Sequence, residues 1–180
     1  SEGDLRQLRL IIAADADIHV SNSAGQTPLM LAAAHGHVKT IYLLLSADGH
    51  VDTVDKEGNT ALMLAAARGH VEIVRCLIAA KAGTLGENNS GKTALDLAVE
   101  HGHRAVIDLL ASVPDDEGNT ALCLAAHTGS DALLKQLLAS KVSPNVRNHA
   151  GYTPLMLAAC CGDPVVVSAL IEAGASLDDH

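Results

Sequence analysis

Hydrophobic positions along this chain fall into pairs of short segments, and the pairs recur. The first member reads TPLMLAA at 27–33, TALMLAA at 60–66, TALDLAV at 93–99, TALCLAA at 120–126 and TPLMLAA at 153–159. Leu and paired Ala at helical spacing predict a short helix with a narrow apolar face, able to lie close to its neighbours. A glycine follows each one (Gly36, Gly69, Gly102, Gly129 and Gly162) and predicts its end. The second member, such as VKTIYLLL, VEIVRCLI or RAVIDLL, predicts another helix that returns with its Ile, Val and Leu inward. Ahead of each first helix stands Gly-x-Thr. The Gly permits a tight turn, the Thr can cap the helix, and Pro28 and Pro154 take the first helical position, where no N–H is needed.

The turn glycines Gly25, Gly58, Gly91, Gly118 and Gly151 are separated by 33, 33, 27 and 33 residues. Each period is therefore a helical hairpin with a projecting turn. Alone it cannot bury its apolar face, so its stability must come from stacking on neighbours. The pattern G-x-T-P-L-x-x-A-A-x-x-G-H resembles the ankyrin repeat and extends over essentially the whole chain. The resemblance implies an all-α repeat solenoid, an ankyrin array of stacked helix-turn-helix units with projecting β-hairpin turns. It divides a single domain of residues 1–180 into a partial repeat at 1–21 and repeats at 22–54, 55–87, 88–114, 115–147 and 148–180. The His that the family carries after T-P-L is replaced by Met30, Met63, Asp96, Cys123 and Met156. The family's Thr–His hydrogen bond should be lost, with sulfur packing between repeats in its place.

Two irregularities carry expectations of their own. The 27-residue spacing removes six residues between Leu110 and Asp115, which predicts that the shortened repeat lacks a normal finger and notches the row of fingertips. At the ends, residues 3–20 match only the second half of a repeat, and the last helix, with Val165, Val166, Val167, Leu170 and Ile171, shows no polar redesign. Both ends suit a segment cut from a longer protein.

Composition sharpens the picture. With two Tyr and neither Phe nor Trp, a core of Leu, Ile, Val and Ala suits thin layers of helices. A formal net charge of −9 disfavours a phosphate-backbone partner, so no nucleic acid is expected. The cysteines Cys76, Cys123, Cys160 and Cys161 form no C-x-x-C pair, which fits free thiols in a reducing compartment. Every apolar run is interrupted by His, Asp, Gly or Arg, so no membrane segment is expected. A monomer in the cytoplasm or nucleus follows.

Three constellations could carry chemistry. Residues 86–93, GENNSGKT, satisfy the phosphate-loop pattern G-x-x-x-x-G-K-[ST] letter for letter. That chemistry needs a strand before the loop and a long helix after it, and neither is predicted around Gly86–Thr93. Ten histidines raise the question of metal. However, His37, His70 and His103 recur at one repeat position, which spaces them along the stack and favours helix capping over a zinc cluster. Cys160 and Cys161 have no recognisable His and Asp to activate them. No enzyme, no catalytic residue, no metal and no cofactor are expected.

What remains is a surface. The resemblance implies that a partner protein meets the concave face, at the turn tips and the exposed edge of each first helix. On this chain those positions include Lys56, Glu57, Arg68, Lys92, His101, Glu117, His127, His149 and Tyr152. They vary between repeats while the Leu, Ala and Gly positions do not. Tyr152 and Arg68 lead as anchors because Tyr and Arg are enriched at binding hot spots, with Lys56, Lys92 and His127 behind them. Tyr42 falls on the outer side of a second helix. Asn145 stands where the resemblance implies a site for asparagine hydroxylation. The expected role is a protein-protein interaction scaffold. The alternatives are the targeting segment of a larger enzyme and a nucleotide-binding module built on Gly86–Thr93.

Overall fold

The computed structural model describes residues 17–115 and 117–177. The first sixteen residues of the predicted partial repeat and the fingertip position Asp116 lie outside them. Ten helices occur among the described residues, and no strand. They are α1 (Pro28–Ala34), α2 (Val38–Ser46), α3 (Ala61–Ala67), α4 (Val71–Ala79), α5 (Ala94–Glu100), α6 (Arg104–Ser112), α7 (Ala121–Thr128), α8 (Asp131–Ala139), α9 (Pro154–Cys161) and α10 (Pro164–Glu172). The chain forms two compact bodies, one through Val106 and one from Ile107, with the division inside α6.

In the first body α1, α3 and α5 pack side by side, α2 and α4 pack on one another, and each pair α1–α2 and α3–α4 is a hairpin. Leu29, Ile41, Leu44, Leu62, Ile73, Val74 and Leu77 fill the space between the rows and are nearly inaccessible. The second body repeats the scheme: α7 and α9 form its inner row and α8 and α10 its outer one, over Leu122, Leu134, Leu137, Val166 and Leu170. Isolated helices of seven to nine residues are marginal in water. Burying each large aliphatic side chain contributes about 1.5–3 kcal/mol and compensates for that. Both tyrosines are exposed, so these cores contain no aromatic ring.

The first helices start as the sequence predicts, but sulfur plays another part. Thr27 Oγ1 accepts the Met30 N–H at 3.4 Å, and the Thr27 N–H donates back to Met30 Sδ at 3.4 Å. Thr60 and Met63 make the same pair, and Asp96 serves Thr93 with a carboxylate. This is a reciprocal capping box in which a thioether stands where Glu or Gln is usual. Three of the residues that replace the family His, Met30, Met63 and Asp96, thus complete the N-cap of their own helix.

Two of the recurring histidines also cap, but at a different helix. His37 and His70 precede α2 and α4 without a side-chain bond to those helices. His70 Nε2 instead lies 3.3 Å from the carbonyl oxygen of Ala34, the last residue of α1. His103 Nε2 likewise lies 3.1 Å from Ala67 O at the end of α3. A carbonyl only accepts, so both rings carry their proton on Nε2. Each ring supplies a donor to a carbonyl that a helix C-terminus leaves without an intrahelical partner. In the second body Ser130 and Asp163 occupy this position, and the Cys161 thiol donates to His127 O at 2.9 Å instead. Replacing His103 with alanine should cost roughly 1–2 kcal/mol. Urea unfolding would measure it, and an unchanged midpoint would show that water satisfies Ala67 O equally well.

The shortened connection departs from its expectation. Eight residues link α2 to Asp55, α4 to Asn88 and α8 to Asn148, whereas only Val113 and Pro114 link α6 to Asp115. The turn itself is nonetheless complete. Asp115 N–H donates to Asn119 O at 2.9 Å, and Gly118 N–H to Asp115 O at 3.0 Å, as in the other fingers. The deletion removes the arm leading into the finger and leaves these closing bonds in place.

Candidate functional site

The fingertips are built by a residue three places before each turn glycine. Asp55 Oδ1 accepts the N–H groups of Glu57 and Asn59 at 3.1 and 2.7 Å. Asn22, Asn88, Asp115 and Asn148 each do the same for the residues two and four places on. Such side-chain turns fix the tip without a regular ladder, which is why the fingers project as turns. Asx residues make this turn best, and they recur at the spacing of the turn glycines. That periodicity was available in the sequence, hidden by the alternation of Asn and Asp.

Neighbouring tips are tied together. Lys56 N–H donates to Ala24 O and Asn89 N–H to Glu57 O, both at 3.0 Å, in the first body. In the second, His149 N–H donates to Glu117 O at 2.9 Å. Side chains reinforce these bonds: Asn88 Nδ2 donates to Asn59 Oδ1 at 2.8 Å, and Asn148 Nδ2 to Asn119 Oδ1 at 2.9 Å. Within each body the tips are therefore a stiff row that holds the variable side chains at fixed spacing.

Burial and N–H donors compete at Asp115. Burial raises its pKa, but the bonds from Asn119 and Glu117, with His149 nearby, outweigh it and hold the carboxyl below its ordinary range. A carboxylate with a depressed folded pKa contributes stability that is present above the unfolded pKa and lost as pH falls through the folded one. Asp115→Asn keeps the acceptor, as Asn22, Asn88 and Asn148 show, and removes only the charge. The variant should therefore lose stability relative to the native chain at neutral pH, with the gap closing as the solution is acidified below about pH 4. Urea midpoints across pH 2–7 would test this, and a gap independent of pH would refute it.

The candidate contact residues lie on two faces, one on each body. In the first body Lys56 and Glu57 are exposed on their turn, and Arg68 is exposed as the C-cap residue of α3. His101 is exposed at the end of α5, where its Nδ1 meets Leu97 O at 2.9 Å and leaves Nε2 outward. Lys92 is already engaged: its Nζ lies 2.6 Å from Glu100 Oε2, and that ion pair holds the Glu100 carboxyl below its usual pKa. In the second body Glu117, His127 and His149 are exposed and Tyr152 is 46% exposed. His127 Nδ1 stands 3.5 Å from Cys161 Sγ.

The phosphate-loop pattern meets different geometry. Lys92 is held by Glu100, and the Thr93 hydroxyl donates to Asp96 Oδ2 at 2.7 Å while capping a helix of seven residues. Both groups that would hold phosphate and magnesium are occupied by the fold. Among the described residues no group of three or more His, Cys, Asp or Glu is placed to hold a metal ion, and no helix is long and apolar enough to cross a membrane. Asn145 is exposed, with Nδ2 donating to Gly174 O and Oδ1 accepting Ser176 N–H at 2.8 Å. Tyr42 is 54% exposed on α2, its hydroxyl 3.5 Å from Glu72. Its ionisation is pushed up to about 12 by Cys76 first, then by partial burial and Glu72.

Stacked hairpins with short capped first helices, longer second helices and projecting Asx turns define an ankyrin-type array. The family profile described as ankyrin repeats matches in three copies, at residues 1–84, 47–116 and 109–180, and the chain belongs to that family. A stretch of 56 residues is 46% identical to part of the potassium channel KOR2 of rice (Oryza sativa subsp. japonica). The matched stretch is 31% of this chain and 8% of that protein, so the likeness concerns one short segment of a much longer polypeptide.

Proposed function

We propose that this array is a non-catalytic scaffold that binds a partner protein through its fingertips and first-helix edges. The observation that carries the reading is a division of labour within each repeat. Positions such as Leu62, Ala65 and Ala66 are fully buried and recur as the same or similar residues, whereas the exposed positions around them change from repeat to repeat. Packing accounts for the first set. The second set is presented on rows of Asx turns, and a rigid backbone lowers the entropy lost on binding.

The test treats the two faces separately. One variant carries Lys56→Ala and Arg68→Ala, the other His127→Ala and Tyr152→Ala, each compared with the native chain after circular dichroism shows equal helix content. Capture of a protein partner by the native chain, and loss of it by either variant, supports the proposal and names the responsible face. Equal capture by all three would sink the assignment. The likeness to a short segment of a channel favours a second reading of the same surface, as the recognition segment of a longer protein. Thermal stabilisation by ATP that vanishes in Lys92→Ala would overturn both readings in favour of nucleotide binding.

A further inference from the structure

The residues that close α1, α3 and α5 are His35, Arg68 and His101, spaced 33 residues apart and all exposed. Because these helices pack side by side, the three side chains form a row at the end of the first body away from its fingers. The carboxylates Asp48, Asp52, Asp55, Glu57 and Glu87 lie in the fingers, at the opposite ends of the helices. A first helix is about 10 Å long, which exceeds the screening length of about 8 Å at physiological salt. The acidic surplus of the chain is therefore weakly felt at the row. Glu100 and Glu72, the carboxylates nearest to it in sequence, are engaged by Lys92 Nζ at 2.6 Å and lie 3.5 Å from the Tyr42 hydroxyl, respectively. The other charged or titratable groups at this end, Lys39, His70 and Arg104, are basic.

Two of the three side chains are held in one orientation. His35 Nδ1 lies 2.8 Å from Leu31 O, and His101 Nδ1 lies 2.9 Å from Leu97 O. A carbonyl only accepts, so each ring carries a proton on Nδ1 and leaves Nε2 outward. Each ring also lies nearly parallel to a second imidazole, His37 at 6.0 Å from His35 and His103 at 6.2 Å from His101. A neutral ring so held offers an acceptor, whereas a second proton turns Nε2 into a charged donor. The spacing of the row matches a particular ligand. Packed helices stand about 8–10 Å apart, and a polyproline II peptide returns to the same face every third residue, about 9 Å further on. We propose that His35, Arg68 and His101 bind an extended acidic peptide whose Asp or Glu side chains recur every third residue, with proton uptake by the two histidines. The proposal rests on the reading of the first-helix edges as a binding surface, and adds to it the chemistry of the partner.

The test titrates the full chain into two labelled, end-capped peptides and follows fluorescence anisotropy. One repeats Glu-Pro-Pro three times, and the other has the same composition with its glutamates adjacent. At pH 6 the spaced peptide should bind about threefold more tightly than the clustered one, because only its carboxylates reach all three cations. Its affinity should fall about fivefold between pH 6 and pH 8, the modest change expected when exposed ion pairs bias two histidines. Glutamate stays ionised across that range, so the direction of the change belongs to the imidazoles. The double variant His35→Gln and His101→Gln should bind without this pH dependence, and Arg68→Ala should bind more weakly at both pH values. Urea midpoints equal to the native one would show that these exposed changes leave the fold intact. Equal affinity for the two peptides, or a pH dependence that survives the double variant, would overturn the proposal. If the spaced peptide fails to bind while the Lys56→Ala and Arg68→Ala variant still loses a captured protein, the acidic chemistry falls and the scaffold reading stands.

Discussion

Gly58→Ala should destabilise the array by roughly 3 kcal/mol, although it adds one methyl group at an unburied turn. Two effects combine. Gly58 sits at φ +78°, a left-handed conformation that costs a residue bearing a Cβ about 1 kcal/mol. The new Cβ would also stand 2.8 Å from the backbone nitrogen of Asn89 and 2.6 Å from its Oδ1. Backbone cannot swing aside as a long side chain can, so the tip-to-tip bond from Asn89 N–H to Glu57 O would stretch. Gly102 supplies the control: its φ is +72°, but a Cβ there would meet nothing within 4 Å. Gly102→Ala should cost only the strain, about 1 kcal/mol. Urea midpoints for the two variants would separate strain from collision, and equal losses would mean that the fingertips yield.

The second large effect concerns sulfur. Met63 is 2% exposed and closes the cap of α3 through its thioether. Met63→Ala should therefore lose about 3 kcal/mol, because the hole is enclosed on all sides and the Thr60 N–H loses its partner. Met156 is the same residue type at the same repeat position, yet its side chain is partly in solvent. Met156→Ala should cost less than about 1 kcal/mol. Comparable losses from both variants would show that capping, rather than burial, dominates the value of methionine at this position.

Much of this fold could be read directly from the chain. The Thr before each Leu, the Pro at the first helical position and the Gly at each end gave the short helices their limits, because helix ends depend on local chemistry. What could not be read depends on how side chains meet in three dimensions, in some cases a full repeat apart. His70 precedes α4 in sequence, so it looked like a cap for that helix. Only stacking brings its ring to Ala34, 36 residues earlier. Lys92 appeared as a free cation for a partner or a phosphate, and its ion pair with Glu100 runs the length of α5 within one repeat. The missing arm before Asp115 was counted correctly, but its effect on the finger was not, because the turn needs only Asp115 through Asn119 to close. The exposed positions of the candidate surface were legible for a simpler reason: residues that packing does not fix are free to differ.

The bonds joining the fingertips and first helices of successive repeats share a direction. Lys56 and Asn89 N–H in the first body, and His149 N–H in the second, donate to the tip before them. Asn88, Asn148, His70, His103 and Cys161 also send their donors backwards along the chain. A carbonyl with two lone pairs tolerates an unfilled bond more readily than a buried N–H does. At each such junction the edge left open by an absent successor presents acceptors that water can serve, while the donors arrive with the repeat that uses them. The polypeptide leaves the ribosome from its N-terminus, so at these fingertip and first-helix junctions the acceptors are synthesised before the donors that will use them.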